Sequence, residues 1–186
     1  MNTPLLYRVG INPFFSGKLS KTAPDQVWGA FNNAFQHTNL TLTGLATTIQ
    51  QGHALTALCR GKRKTQNFLS RQDLGADFDT EDERSDLDTL QAHPFIAQYA
   101  ALLHTTASHR PDAPRARVLF FLERPIDDPD QYREYAQAIN WFFGTSDPQC
   151  FDPARVWFGA PGCAVRTLGN ALPVAVMDEL VTQWRA

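Results

Sequence analysis

Asp77 and Asp79 stand two residues apart in the stretch Asp73-Leu-Gly-Ala-Asp-Phe-Asp-Thr80. On an extended backbone, alternate side chains project to one face, roughly 6.5–7 Å apart along the strand. Two ionised carboxylates so placed offer the oxygen ligands that magnesium and manganese prefer, and a bound cation relieves their mutual repulsion. Ala76 and Phe78, interleaved with them, would face the opposite side. An acidic run follows (Glu81, Asp82, Glu83, Asp86 and Asp88), so a solvated acidic loop is the competing expectation.

Further chemistry-bearing residues recur downstream. Ser108 and His109 close a strand candidate, and Arg115 and Arg117 open the next. Two apart on a strand, those arginines would share a face and suit an oxygen-rich anion such as a triphosphate. Asp147, Asp152 and Arg155 lie in a loop rich in Asp and Pro. Each alone reads as a surface or turn residue, the aspartates standing before Pro148 and Pro153. Taken in order, they are the types a two-metal phosphoryl-transfer site requires: carboxylates for the ions, Ser, His and Arg for phosphates, and a further carboxylate from a distant strand.

These residues need elements to hold them. The pattern Val27, Trp28, Phe31, Ala34, Phe35 predicts a helix from Asp25, with Pro24 just outside its start. A second helix is predicted over Leu42–Gln50, stopped at Gly52, then a strand through residues 52–59 and a basic turn, Arg60-Gly-Lys-Arg-Lys64. The next strand includes Phe68 and ends in the Asp77/Asp79 pair. Ser85 is expected to cap a helix, and Pro94 to start a helical turn. Strands are expected over 100–109 and over 115–122, the latter ended by Pro125. A helix is expected over 130–143 stopped by Gly144, then a short aromatic strand over Val156–Phe158 and a last helix from Pro173. A further short strand is expected near Leu5–Val9. The sum is an α+β chain with five or six strands and four or five helices.

At 186 residues the chain is expected to be one domain over 1–186, an N-terminal unit over about 1–70 and a core over about 71–186. Apolar residues make up 43%, with thirteen Phe and four Trp, which excludes general disorder. A formal charge of −2 gives no global field for a polyanion, so any attraction must be local. Three cysteines without a Cys-x-x-Cys pair argue against a zinc site or a disulfide framework and for a reducing compartment. No membrane-spanning run or signal-peptide pattern is seen, so the expectation is a cytoplasmic protein without a membrane partner.

The succession of motifs resembles a known family. It runs Arg-Gly-Lys-Arg-Lys, Gly-Ala-Asp-Phe-Asp, Thr-Thr-Ala-Ser-His, Pro-Arg-Ala-Arg-Val-Leu-Phe-Phe-Leu-Glu-Arg-Pro-Ile, and Asp-Pro-Gln-Cys-Phe-Asp-Pro-Ala-Arg-Val-Trp-Phe-Gly-Ala-Pro-Gly. Over roughly residues 50–165 it resembles the catalytic core of archaeo-eukaryotic-type primases, in particular the primase–polymerases of plasmids, phages and other mobile elements. The resemblance implies an RNA-recognition-motif-like catalytic sheet with flanking helices beside a smaller N-terminal α/β unit. It implies template-directed nucleotidyl transfer with two Mg2+ or Mn2+ ions, nucleoside triphosphates as substrates and single-stranded DNA as template. Asp77, Asp79 and Asp147 would be catalytic and hold the metals, Asp152 competing with Asp147 as third ligand. Ser108, His109, Arg115, Arg117 and Arg155 would bind the nucleotide. Many relatives carry a histidine two residues after an arginine on the following strand, where this chain has Arg117, so the holder of the triphosphate stays open. Lys62, Arg63 and Lys64 would grip the template backbone, and Phe68 or Trp157 would stack on a base or be buried in the core, the expected outcome.

Two other classes stay open: a non-catalytic nucleic-acid-binding module of the same fold, and a metal-dependent nuclease or phosphatase using the same carboxylates. A relaxase-like protein would want a paired-His metal site, and no His-x-His string is present. The chain has no Walker-type loop, so priming would call for a separate or fused helicase.

Overall fold

The computed structural model describes residues 6–144 and 148–186. In chain order, β1 (Tyr7–Asn12), α1 (Asp25–Asn33), β2 (Gln36–Leu40), α2 (Leu42–Gln50) and β3 (Ala54–Thr56) form a small unit whose antiparallel sheet runs β2-β1-β3. Then follow β4 (Leu58–Cys59), β5 (Phe68–Phe78), α3 (Leu87–Ala92), α4 (Pro94–Tyr99), β6 (Ala100–Thr105), β7 (Ala116–Ile126), α5 (Pro129–Phe143), β8 (Val165–Thr167) and α6 (Val174–Arg185). The larger sheet is antiparallel, in the order β4-β5-β7-β6-β8. The chain is therefore α+β, with eight strands and six α-helices among the described residues.

Period-two alternation divides the large sheet between two cores. Leu74, Ala76 and Phe78 of β5, with Val118 and Phe120 of β7, face Tyr132, Ile139, Met177 and Leu180 on α5 and α6. The other face carries Leu119 and Phe121, which pack against Tyr7 and Val9 of β1, Leu45 and Ile49 of α2, and Trp157. The small unit thus covers one face of the large sheet, and the helices cover the other. A third cluster gathers Trp28, Phe35 and Phe158 around fully buried Phe31.

Local chemistry explains the element ends. Thr41 caps α2 by accepting from Gly44 N at 3.1 Å, and Asp128 caps α5 by accepting from Asp130 N at 2.8 Å. Gly144 stops α5 in the left-handed region at φ 66°, as its sequence position predicts.

Several expectations are corrected. Ser85 caps no helix: its hydroxyl accepts from Thr80 N at 3.0 Å, and Asp82 instead closes a 3-10 turn over Glu83–Ser85. Pro125 does not end its strand. β7 continues to Ile126 because Leu122–Pro125 lie in an interrupted stretch of ladder between the pairs Asp73↔Phe121 and Arg71↔Ile126, where a missing N–H costs nothing. The single strand expected over 52–59 is two, β3 in the small sheet and β4 in the large one. The Val156–Phe158 segment makes one antiparallel bridge, Leu55↔Trp157. No helix of the described residues is long and apolar enough to cross a membrane.

Candidate functional site

At the ends of β5, β7 and β6, the face covered by the small unit turns polar. Asp77, Arg117 and His104 stand directly opposite one another across the three strands. Asp77 accepts from Arg117 Nε at 2.5 Å and Nη2 at 3.0 Å, a two-pronged pair with both side chains largely buried. Burial pushes the Asp77 carboxyl up, but the charge and hydrogen bonds of Arg117 outweigh it and hold the group below the usual range. Burial, then the adjacent Arg117 charge, lowers His104 to about 4, so its ring is neutral. Its Nδ1 lies 2.9 Å from the Thr105 carbonyl, which can only accept, so Nδ1 carries the proton.

Asp79 follows β5 on the same side, 53% exposed, with Arg115 Nη1 3.9 Å away. Burial and the neighbouring Asp77 charge raise its pKa, and Arg115, Arg117 and Lys18 do not fully offset them. Arg115 also pairs with Glu81.

Asp77 and Asp79 open into a cleft of about 650 Å³ between the two units. Six cationic side chains line it among the described residues: Lys18, Lys21, Arg63, Arg115, Arg117 and Arg155. Three carboxylates accompany them, Asp77, Asp79 and Asp152. A chain of formal charge −2 therefore concentrates positive charge here.

Buried contacts fix the cleft's floor. Trp157, 1% exposed, lies across Gly75, where an added Cβ would come within 2.7 Å of the indole. The guanidinium carbons of Arg117, Arg71 and Arg155 sit 4.8, 5.3 and 5.7 Å from its ring centre. Its Nε1 donates to Asp73 Oδ2 at 2.6 Å, and Arg71 binds the same oxygen at 2.7 Å through Nη2. Arg71 Nη1 also donates to the carbonyls of Pro153 and Arg155, tying down the turn that carries Asp152 and Arg155.

Of the residues singled out from sequence, Asp77, Asp79, Ser108, Arg115, Arg117, Asp152, Arg155 and Arg63 share this cleft. His109 is not in its lining: Nδ1 accepts from Arg115 N at 3.1 Å, so the ring braces the turn between β6 and β7. Lys62 and Lys64 also lie outside the lining, whereas Arg63 turns inward, donating to Asn32 Oδ1 at 2.7 Å and Ala154 O at 2.6 Å. Asp152 Oδ1 is engaged by Thr65 Oγ1 and Ala154 N. Trp157 is core, as expected, and Phe68 is half-buried against Ala57 and Ala154. Asp147 lies outside the described residues. Lys18, Lys21, Trp28, Phe158 and His104 were not singled out from sequence. The two lysines sit in a lead-in without periodicity, and His104 is hidden in an otherwise apolar strand.

Asp77 and Asp79 are the oxygen donors a hard divalent cation would need here, and both Asp77 oxygens are bonded to Arg117. Asp79 is raised by burial first and by the Asp77 charge second, and both carboxylates open to one cleft. Among the described residues no third His, Cys, Asp or Glu joins them in a metal-binding group.

Comparison with known proteins places the chain. Residues 51–163 match the VapE N-terminal domain. The chain belongs to the VapE N-terminal domain family. The match takes in β5, β6, β7 and the turn bearing Asp152 and Arg155, so this VapE N-terminal domain carries the carboxylates and four of the six cations of the cleft within the family region, while Lys18, Leu19, Lys21 and Trp28 precede it. Among solved structures, the chain is similar to the AEP domain (PP-N190) of the cyanophage S-2L primase-polymerase (PrimPol). The TM-score is 0.48 at 15% identity, over 95% of this chain and 88% of that one. No curated protein matches it.

Proposed function

We infer that this VapE N-terminal domain is a nucleotidyl-transfer domain of the archaeo-eukaryotic primase kind, serving replication of a mobile element, phage or plasmid. The observation that carries this is the joining, in one cleft, of two adjacent carboxylates with six cationic side chains. That set suits a nucleoside triphosphate, whose charge needs cations along its length and hard metal ions at the reacting phosphorus.

Asp77 and Asp79 would hold Mg2+ or Mn2+, with Asp147 or Asp152 as a further ligand. Two such ions supply a lowered pKa for the attacking 3′-hydroxyl and neutralise charge on the departing pyrophosphate. The chain's own residues do the rest. Arg117, held between Asp77 and the Trp157 ring, presents a positioned charge. Arg115, Ser108, Arg155 and Arg63 line the same cleft and would supply further donors to phosphate oxygens. The single-stranded template would follow the positive surface through contacts that ignore sequence, and a helicase, separate or fused, would supply that strand.

Manganese-dependent primer extension tests this, comparing the wild type with Asp79→Asn and with Asp77→Ala plus Asp79→Ala. Asp79 is half exposed, so its isosteric variant keeps the fold. Extension by the wild type alone is expected; extension by all three proteins, or by none, refutes the enzyme reading. One observation favours a second reading, a nucleotide-binding module without turnover: both Asp77 oxygens are committed to Arg117. Triphosphate binding with no extension in any metal would identify it.

A further inference from the structure

The lining of the cleft includes an apolar patch and a group of carboxylates and cations at the strand ends. Leu19, Trp28, Val156 and Phe158 belong to the aromatic cluster built on Phe31, Leu19 and Trp28 from the small unit and Val156 and Phe158 from the segment that bridges to it at Leu55. Asp77, Asp79, Arg115 and Ser108 make the polar group, from the tips of β5 and β7 and the turn after β6. Arg117 joins the two: it pairs with Asp77 and donates from Nη1 to the Phe158 carbonyl at 3.2 Å. An apolar wall and a phosphate-type group thus lie one residue apart.

The wall is built of partly exposed rings. Phe158 stacks on Phe31 with centres 5.6 Å apart, 26° between planes, which occupies one of its faces. Trp28 meets Phe31 at 84° with centres 5.7 Å apart, an edge contact rather than a stack. Both remain half-buried at the cleft, whereas Phe31, which backs them, is fully buried. Flat rings beside a cation-rich channel match a ligand with a planar aromatic part and an anionic tail.

We propose that the cleft binds a nucleoside triphosphate in one orientation, its base against the Trp28–Phe158 wall and its phosphates toward Asp79, Arg115 and Lys18. This rests on the nucleotide reading and extends it: the small unit, through Trp28, forms the base subsite of the catalytic sheet. Lys18 and Lys21, exposed on either side of Leu19, line the cleft, and Lys18 lies near enough to Asp79 to lower its pKa.

Calorimetric titration of the intact chain with inorganic triphosphate, ATP and a short oligo(dT) strand tests this in the wild type, Trp28→Ala and Trp28→Phe. The wild type should bind ATP more tightly than triphosphate. Trp28→Ala should weaken ATP about tenfold, the scale of one lost base–aromatic stack, and leave triphosphate unchanged. Trp28→Phe should retain most of the ATP affinity. Equal loss of ATP and triphosphate in both variants overturns the proposal, because Trp28 would then only support α1. Loss confined to oligo(dT) also overturns it, since the wall would then serve a strand. Wild type that binds triphosphate but ATP no better defeats the base subsite alone, and wild type that binds neither defeats the nucleotide reading as well.

Discussion

Asp73 offers the most exacting test of how the site is held. Its side chain and that of Arg71 are 1% and 0% exposed, and Oδ2 takes hydrogen bonds from Arg71 Nε at 3.0 Å, Arg71 Nη2 at 2.7 Å and Trp157 Nε1 at 2.6 Å. Oδ1 is buried and has no hydrogen-bond partner among the described residues. Replacing Asp73 by Ala leaves the Arg71 charge with two carbonyl acceptors and the faces of Tyr132 and Trp157. Removing one partner of a buried pair costs about 3–5 kcal/mol, because the remaining charge stays desolvated. With a urea slope of about 2 kcal/mol/M, that is a midpoint lower by about 1.5–2.5 M. Asp73→Asn keeps the shape and one acceptor but drops the charge, so it should fall between wild type and Ala. The double change Arg71→Met plus Asp73→Leu removes both charges and should recover most of the loss. Urea melts followed by far-ultraviolet circular dichroism give all four midpoints. If Asp73→Asn and Asp73→Ala each move the midpoint by less than about 0.5 M, or the double variant melts no higher than Asp73→Ala, the pair does not hold the floor of the cleft.

Three further outcomes are expected. Gly75→Ala should cost about 1–3 kcal/mol in the same melts, since its Cβ would meet the Trp157 ring at 2.7 Å and force it off Arg117. His104, ordinarily near 6.5 and lowered to about 4, binds its proton more readily in the unfolded chain. Stability should therefore be complete above pH 6.5 and fall by about 3 kcal/mol as pH drops from there to 4, a slope that His104→Gln flattens in melts across that window. Lys18→Ala and Lys21→Ala should each reduce the salt dependence of oligonucleotide binding by about one unit of log–log slope, read by fluorescence anisotropy between low and moderate salt. An unchanged slope in both would place the strand elsewhere.

The elements legible in sequence are those that pack firmly against a core. β5, β7 and α5 alternate or repeat strongly because each packs against a core, and α2 is legible as Leu42–Gln50 with its stop at Gly52. The missed strands, β2 and β8, are edges. Their sequences, Gln-His-Thr-Asn-Leu and Val-Arg-Thr, bury too little to impose a period of two. The same distinction governs the site. Asp77, Asp79, Arg115 and Arg117 can be found because they continue the alternation of strands whose other face is apolar. His104 also obeys it, but its meaning depends on register: only the pairing of β6 with β7 puts it opposite Arg117. Lys18, Lys21 and Trp28 depend on how the small unit docks on the large sheet, information carried by no local pattern.

Trp157 shows why such a site needs a core residue at its centre. Among the described residues the indole is nearly the largest object in the second core, yet its neighbours are an aspartate and three arginines. An arginine free to sample its rotamers would give up about 2 kcal/mol of side-chain entropy on gripping an anion. Arg117 has given that up in folding, held on one side by Asp77, on another by the Phe158 carbonyl, and over the ring at 4.8 Å from its centre. Gly75 lets the indole approach the sheet closely enough for this, so the absence of one side chain on β5 sets the position of a charge on β7. A substitution that leaves every polar residue of the cleft untouched, Trp157→Leu, should therefore weaken triphosphate binding through disorder of Arg117, whereas Trp157→Phe, which keeps a ring face, should weaken it less.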